Sequence, residues 1–209
     1  MDDFPAGAFR RQDETPDEHF YRQPRFVTHI DAGATHAVTQ LYREFFPAGG
    51  RILDLMSSWV SHLPPEVDYA QVVGLGLNAA ELATNPRLSA RVVQNLNTTP
   101  RLPFEDARFD AAGCTVSIDY LTDPVAVLRD LNRVLVPGGP AVISFSNRCF
   151  PSKAVALWHA LDDAGHVELV RRELEAAGFS DLLTLDRSPR TGGRRSGDPL
   201  YAVVGRASG

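Results

Sequence analysis

The segment from Leu102 to Asn147 constrains the fold of this chain more than any other stretch. A short apolar run from Phe109 to Cys114 is typical of a buried parallel strand. Pro124 opens an amphipathic helix. That helix ends at Pro137-Gly138-Gly139, because proline cannot continue a helix and glycine tolerates a left-handed turn. A second buried strand from Ala141 to Phe145 completes a strand, helix, turn and strand.

Apolar patterning predicts further elements on both sides of this segment. Strands are predicted over residues 51–55, 72–75, 91–94, 179–186 and 200–204. Helices are predicted over residues 34–46, 78–83, 154–161 and 166–177. Strands that alternate with helices favour a doubly wound α/β sheet, and the last two strands favour an antiparallel closing pair around a glycine-rich loop.

The composition limits the partners and the location that we expect. A net charge of −5 over 209 residues argues against a nucleic-acid-binding surface, and the basic cluster Arg187–Arg195 is expected to be a solvated hairpin loop. Two cysteines are too few for a disulfide framework, and no set of residues has metal-ligand spacing, so we expect no metal. No apolar stretch reaches transmembrane length, and the acidic start lacks the order of a signal peptide. We therefore expect a cytoplasmic protein without membrane contact.

Four motifs occur in order along the chain, and they carry a resemblance to a known family. They are LPF…FDAA, DYLTDP, LRDLNRVLVPGG and PLYAVVGR. The region from Arg51 to Arg206 resembles the class I S-adenosylmethionine (SAM) dependent methyltransferases, especially the small-molecule branch related to quinone-biosynthesis enzymes. The resemblance implies a Rossmann-like α/β fold: a mostly parallel seven-stranded sheet with helices on both faces and an antiparallel C-terminal strand. It also implies a methyltransferase that uses SAM, leaves S-adenosylhomocysteine, and acts on a small-molecule acceptor.

The resemblance also suggests how the chain is divided. Residues 1–20 are polar and aperiodic, and we expect a flexible tail there. Residues 21–50 match the N-terminal lid and helix that often cover the active site in this family. Residues 51–209 form the methyltransferase-like domain, so that the chain holds a single domain overall.

The resemblance places the first part of the cofactor site after the first strand, since ligands lie beyond the carboxyl ends of strands in such sheets. Asp54 matches the acid that supports the ammonium end of SAM or the loop itself. Met56-Ser57-Ser58-Trp59 stands where the family has a glycine-rich turn. Ser57 is a candidate for holding the methionine carboxylate, and Trp59 for stacking on an adenine or acceptor ring. The alternatives are that Asp54 and Ser57 cap a turn and that Trp59 packs under the N-terminal helix.

The next strand ends supply the rest of the cofactor site. Gly76 stands where the family carries the acid that grips both ribose hydroxyls, and Asn78 is a candidate substitute, with helix capping as the alternative. Asn95 aligns with the aspartate that receives the adenine amino group, and Leu96 with the apolar residue that packs on adenine. Thr115 follows the fourth strand and is a further cofactor candidate.

Acceptor and catalytic candidates lie in the lid and after the fourth and fifth strands. The substrate-binding candidates are Tyr21, Arg25, Tyr120 and Arg148, of which the two arginines suit a carboxylate. Asp119 and His29 are candidate general bases, and Asp31 is the candidate acid that orients His29. Each has an alternative, because Asp119 suits a helix cap or an exposed turn and the others suit an ordinary surface.

Altered cofactor anchors leave three functions open. The retained Asp54 and Asn95 favour a methyltransferase. The absence of an acid at Gly76 favours two other functions. One is a non-catalytic binding protein on the same fold, with a modified or lost SAM site, and the other is an enzyme with different chemistry.

Overall fold

The computed structural model describes residues 4–208. Its strands are β1 (Arg51–Leu55), β2 (Gln71–Gly76), β3 (Ala90–Val93), β4 (Ala111–Thr115), β5 (Pro140–Phe145), β6 (Ser180–Asp186), β7 (Arg190–Thr191), β8 (Arg194–Arg195) and β9 (Tyr201–Arg206). Its helices are α1 (Asp17–Phe20), α2 (Ala32–Phe45), α3 (Ala79–Thr84), α4 (Pro124–Val134), α5 (Ala156–Ala160) and α6 (Asp163–Ala176), with a 3-10 turn at Ile118–Tyr120.

Seven of the strands form one sheet in the order β3-β2-β1-β4-β5-β9-β6, and β7 pairs with β8 in a separate hairpin. The strands β1 to β5 are parallel, whereas β9 runs antiparallel to both β5 and β6. This arrangement confirms the predicted Rossmann-like sheet. The strand order reverses between β1 and β4, where Leu55 lies beside Cys114. A ligand site is expected at that end, beyond the carboxyl ends of the two strands.

Helices cover both faces of the sheet, and each face has its own apolar core. Side chains of α4 and α6, such as Leu128 and Leu174, pack in one core, and side chains of α2 and α3, such as Leu41 and Leu82, pack in the other. Gly113 allows α2 to approach β4 closely, because a Cβ there would overlap the ring and hydroxyl of Tyr42. No helix within residues 4–208 is long and apolar enough to cross a membrane.

Two segments differ from the sequence-based expectation. The fourth strand begins at Ala111, two residues after the predicted start, because Phe109 makes a separate bridge to Leu135. The second difference concerns the expected flexible tail, of which residues 1–3 lie outside the described range. Beyond them, the backbone carbonyls of Ala8 and Arg10 accept hydrogen bonds from Leu157 and Ala156 at 2.8 and 2.7 Å.

A buried charged cluster holds this N-terminal segment against the domain. The Lys153 side chain is fully buried, and its Nζ lies 3.3 Å from a carboxylate oxygen of Asp13 and 3.3 Å from one of Asp17. It also donates to the Thr15 carbonyl at 2.7 Å. Arg11 Nη1 contacts Asp17 at 2.7 Å. The cluster joins the segment before α1 to the loop between β5 and α5, and this explains why the segment packs rather than projecting as a tail.

Candidate functional site

A cavity of about 150 Å³ lies beyond the carboxyl ends of β1, β2, β3 and β4. Its floor comes from the loops that follow these strands. Its roof is the segment of residues 17–31, which we call the strap, together with Phe150 from the loop after β5. The cavity therefore occupies the position at which a doubly wound sheet binds its ligand.

Most of the side chains that the sequence suggested meet in this cavity. The lining includes Tyr21, Arg25, His29, Asp54, Ser57, Trp59, Gly76, Asn78, Asn95, Leu96, Thr115 and Tyr120. Segments far apart in the sequence thus converge on one space. Their individual roles remain predictions.

Two of the suggested residues lie outside the cavity lining, and the structure corrects both assignments. The Arg148 side chain is 63% exposed and its Nε lies 3.7 Å from Asp198, so it is not placed to bind a substrate in the cavity. Asp119 is buried, and burial raises the pKa of its carboxyl to about 7. One of its carboxylate oxygens has no hydrogen-bond partner. A base must reach the acceptor, and Asp119 is not among the residues that line the cavity.

Asp54 occupies the carboxyl end of β1, at the reversal of the strand order. It accepts a hydrogen bond from Ser57 Oγ at 2.6 Å. Burial raises the pKa of Asp54 to about 6, and the Ser57 hydrogen bond opposes that rise. A cationic group in the cavity would favour the ionised carboxylate, because opposite charges attract strongly where water is scarce.

The loop after β1 achieves a glycine-like turn without glycine. Met56 has a φ of 55°, in the left-handed region that favours glycine. Ser57 then donates its backbone N–H to the Leu75 carbonyl at 2.8 Å, which folds the loop across the end of β2. As a result the Ser57 carbonyl oxygen fills the space beside Gly76, where a Cβ would overlap it.

We expect both Gly76→Ala and Gly76→Asp to lower the free energy of unfolding by about 1–3 kcal/mol, because either Cβ forces the loop after β1 to move. Urea unfolding of the two variants measures the loss. The alanine variant controls for charge, so a loss shared by both belongs to the Cβ. Wild-type stability in the aspartate variant would show that the end of β2 still accepts the family's acid.

Asn78 acts as a helix cap, which was the alternative to a ribose contact. Its Oδ1 accepts hydrogen bonds from the backbone N–H groups of Ala80 and Glu81 at 2.9 and 3.1 Å. Its Nδ2 donates to the Tyr21 carbonyl at 2.8 Å. The amide oxygen is therefore committed to α3, and the amide nitrogen holds the strap.

Glu81 is a cavity residue that the sequence reasoning missed. Its Oε1 accepts the Arg25 backbone N–H at 2.7 Å, and its Oε2 accepts Ser58 Oγ–H at 2.5 Å. The side chain is only 9% exposed. The spacing of Asn78 and Glu81 resembles a capping box, with the acid three residues after the cap, and this signal could have placed Glu81 in the first turn of α3.

Other suggested cofactor residues also hold the strap. Asn95 Nδ2 donates to Glu18 Oε1 at 2.7 Å, while the Asn95 Oδ1 accepts the Asn97 N–H at 3.0 Å. Trp59 Nε1 donates to the Val27 carbonyl at 3.1 Å. The Trp59 ring packs edge-to-face on Phe26 of the strap. Contacts of these residues with a ligand would thus be coupled to the position of the strap.

The strap side of the cavity is aromatic and contains the half-buried guanidinium of Arg25. The Cζ atom of Arg25 lies 4.3 Å from the centre of the Phe20 ring and 5.3 Å from that of Phe150. Arg25 Nη1 is buried without a hydrogen-bond partner. His29 packs edge-to-face on Phe150 with ring centres 5.2 Å apart. Burial lowers the pKa of His29, so its imidazole is neutral near pH 7.

Asp31 does not serve as an orienting acid for His29. Its Oδ1 accepts the Ala34 N–H at 2.8 Å and caps α2, and its Oδ2 accepts the Asp198 N–H at 2.8 Å. Both oxygens are thus engaged by backbone groups, which corrects the expected pairing. The neutral His29 ring remains in the cavity without that acid.

Comparisons with known proteins fit this architecture. The methyltransferase domain family matches residues 56–143. A ubiquinone biosynthesis O-methyltransferase of Xanthomonas axonopodis pv. citri is 32% identical over 123 residues, which are 53% of this chain and 49% of that protein. The corresponding protein of Xanthomonas oryzae pv. oryzae is 32% identical over 122 residues, 53% of this chain and 48% of that one. The chain thus spans about half the length of the curated relatives it matches.

Solved structures share the fold at low sequence identity. A SAM-dependent methyltransferase from Mesorhizobium loti superposes with a TM-score of 0.59 at 18% identity, over 81% of this chain and 97% of that one. Phosphoethanolamine N-methyltransferase 2 of Haemonchus contortus in complex with SAM gives 0.59 at 15% identity, over 83% and 52%. The [4+2]-cyclase SpnF gives 0.63 at 16% identity, over 83% and 80%. These structures share the Rossmann-like fold of this chain, and the sequence matches, which span about half of the chain, are to methyltransferases.

Proposed function

We propose that the protein is a SAM-dependent methyltransferase that acts on a small-molecule acceptor. The observation that carries the proposal is Asp54, a carboxylate at the reversal of the strand order that lines the cavity and is held by Ser57. The names of the curated relatives support a hydroxyl oxygen as the methylated atom. The cytoplasmic location expected from the sequence belongs to the same proposal.

The donor set of the cavity fits SAM. The cofactor has a cationic amino-acid end, a diol-bearing sugar and a flat base. Asp54 offers a carboxylate for the first, and the buried Leu96 offers an apolar surface for the third. When bound, SAM supplies a methyl group that is activated by a positively charged sulfur.

The chain's own residues would position this donor and the acceptor. Asp54 binds the cationic end, and the strap closes the cavity against water, which strengthens each charge interaction inside it. Arg25 faces the cavity with an unpartnered Nη1 and would orient the acceptor. His29 is neutral and therefore able to accept the proton that an acceptor hydroxyl loses.

Titration calorimetry with SAM and then with S-adenosylhomocysteine tests the proposal. We expect micromolar binding of both by the wild type, and at least a tenfold loss of SAM affinity in Asp54→Ala, since about 1.4 kcal/mol corresponds to a factor of ten. Arg171→Met, on the exposed face of α6, is the control that should bind like the wild type. No binding by folded wild-type protein would refute the proposal.

A second candidate is a protein that uses the fold for other chemistry or for binding alone. Two observations favour it: the end of β2 has no room for an acidic side chain at Gly76, and one structural neighbour is a [4+2]-cyclase. SAM binding without S-adenosylhomocysteine formation, over a panel of phenols, carboxylic acids and amines, would support this candidate. Turnover with any acceptor would support methyl transfer.

A further inference from the structure

We infer that the Glu81 carboxylate binds the vicinal diol of the SAM ribose, from a helix rather than from the end of a strand. This inference rests on the proposed use of SAM. It gives Glu81 the role that the family resemblance places at Gly76.

The end of β2 has no room for an acidic side chain at Gly76. Any side chain at Gly76 would overlap the Ser57 carbonyl oxygen, so the loop after β1 occupies the space into which an acid would project. An acid that binds the ribose would therefore have to come from a neighbouring element. Among the acidic residues that line the cavity, Glu81 lies nearest in sequence to the end of β2.

Helix α3 brings Glu81 to the end of β2. The helix begins three residues after Gly76, and the Asn78 cap fixes the Glu81 backbone N–H at 3.1 Å. A Cβ built on Gly76 would lie 3.2 Å from Cδ2 of Leu82, so the first turn of α3 packs directly against the strand end. Glu81 lies in that turn and lines the cavity.

The Glu81 carboxylate can accept further hydrogen bonds. An ionised carboxylate has about four acceptor positions. Ser58 Oγ and the Arg25 backbone N–H use one on each oxygen, at 2.5 and 2.7 Å. About one position per oxygen therefore remains, and two adjacent hydroxyl groups supply two donors. Because Glu81 is 9% exposed, bulk water has little access to these positions.

A binding role and a purely structural role of Glu81 predict different effects on ligand affinity. A structural Glu81 would only fasten the strap to the loop after β1, and its loss would weaken every ligand of the cavity to the same extent. A diol-binding Glu81 distinguishes ligands by their hydroxyl groups. The test therefore compares two ligands that differ by one hydroxyl.

Titration calorimetry of the wild type and of Glu81→Gln with S-adenosylhomocysteine and its 2′-deoxy analogue makes this comparison. We expect the wild type to bind S-adenosylhomocysteine roughly ten- to hundredfold more tightly than the analogue, as for a hydrogen bond to a charged group. In Glu81→Gln the ratio of the two affinities, S-adenosylhomocysteine over the analogue, should fall to within about threefold, because the charged acceptor is lost. Ser58→Ala is the matched control: it removes a contact of Glu81 but keeps the carboxylate, and should keep most of the ratio.

The possible outcomes separate this inference from the proposed function. A wild-type ratio that persists in Glu81→Gln, or a wild type that binds both ligands equally, overturns the role of Glu81 and leaves SAM binding in place. Failure of the folded wild type to bind either ligand overturns both proposals. If circular dichroism shows that Glu81→Gln does not fold, Glu81→Asp provides the test, since a shorter carboxylate should reduce the ratio and an unchanged ratio contradicts the inference.

Discussion

Replacement of Lys153 by methionine is expected to lower the free energy of unfolding by about 3–5 kcal/mol, because removing one partner of a buried ion pair leaves an uncompensated charge. The Lys153 side chain is fully buried, and its ammonium faces Asp13 and Asp17. Methionine fills a similar volume without the charge or the hydrogen bonds. Urea unfolding followed by circular dichroism measures the loss.

The position of Lys153 also predicts where the variant opens first. The cluster fastens residues 11–17 to the loop after β5, so limited trypsin digestion should cut the variant faster after Arg22 and Arg25 in the strap. Arg171→Met is the matched control, because it removes a cation paired with Glu168 and Glu175 on an exposed helix face. Exposed pairs contribute about 0–1 kcal/mol, and this variant should change little. Equal losses in both variants would show that the buried cluster has no special importance.

The second large effect is expected at Asp54, where asparagine should stabilise the protein at pH 8 by up to about 3 kcal/mol and weaken SAM binding. The folded carboxyl titrates near 6, whereas its ordinary value is 3.8. Between these values the folded state keeps a proton that the unfolded state has lost, so the wild type loses stability as the pH rises through 6. Asparagine imitates the protonated form and avoids this loss. Urea unfolding at several pH values should show the advantage shrinking as the pH falls toward 4.

Asp110→Asn provides a control of opposite sign. Arg51 lowers the pKa of Asp110, so that carboxylate stabilises the fold above its unfolded pKa, and this stabilisation disappears as the pH falls through the folded pKa. The variant should therefore be less stable than the wild type at pH 7, with a difference that disappears in acid. An Asp54→Asn difference that is independent of pH would contradict the raised pKa.

The sheet was predictable because its signals are local. Proline and glycine mark the end of α4, and short apolar runs mark the buried strands, so each element appears within a window of ten or so residues. The strap and its charged cluster were not predictable in this way. Lys153 and Asp17 are far apart in the sequence, and nothing near either residue shows that they meet.

The site was partly predictable for the same reason. Side chains immediately after strands, such as Asp54 and Thr115, reach the cavity because the topology sends every parallel strand end there. Asp119 follows β4 as well, but it is buried within the 3-10 turn at Ile118–Tyr120 and is not among the lining residues. Glu81 was missed because its importance depends on the space beside Gly76, which only the folded loop reveals.

The central place of β9 in the antiparallel half of the sheet bears on how the protein forms during synthesis. Residues 201–206 lie between β5 and β6, which do not touch each other in the sheet. A nascent chain that has emerged only as far as β6 therefore exposes an unpaired edge on β5, and β6 has no partner. Such edges invite pairing with other chains, so the insertion of β9 is the step at which crowding and chaperones should matter most.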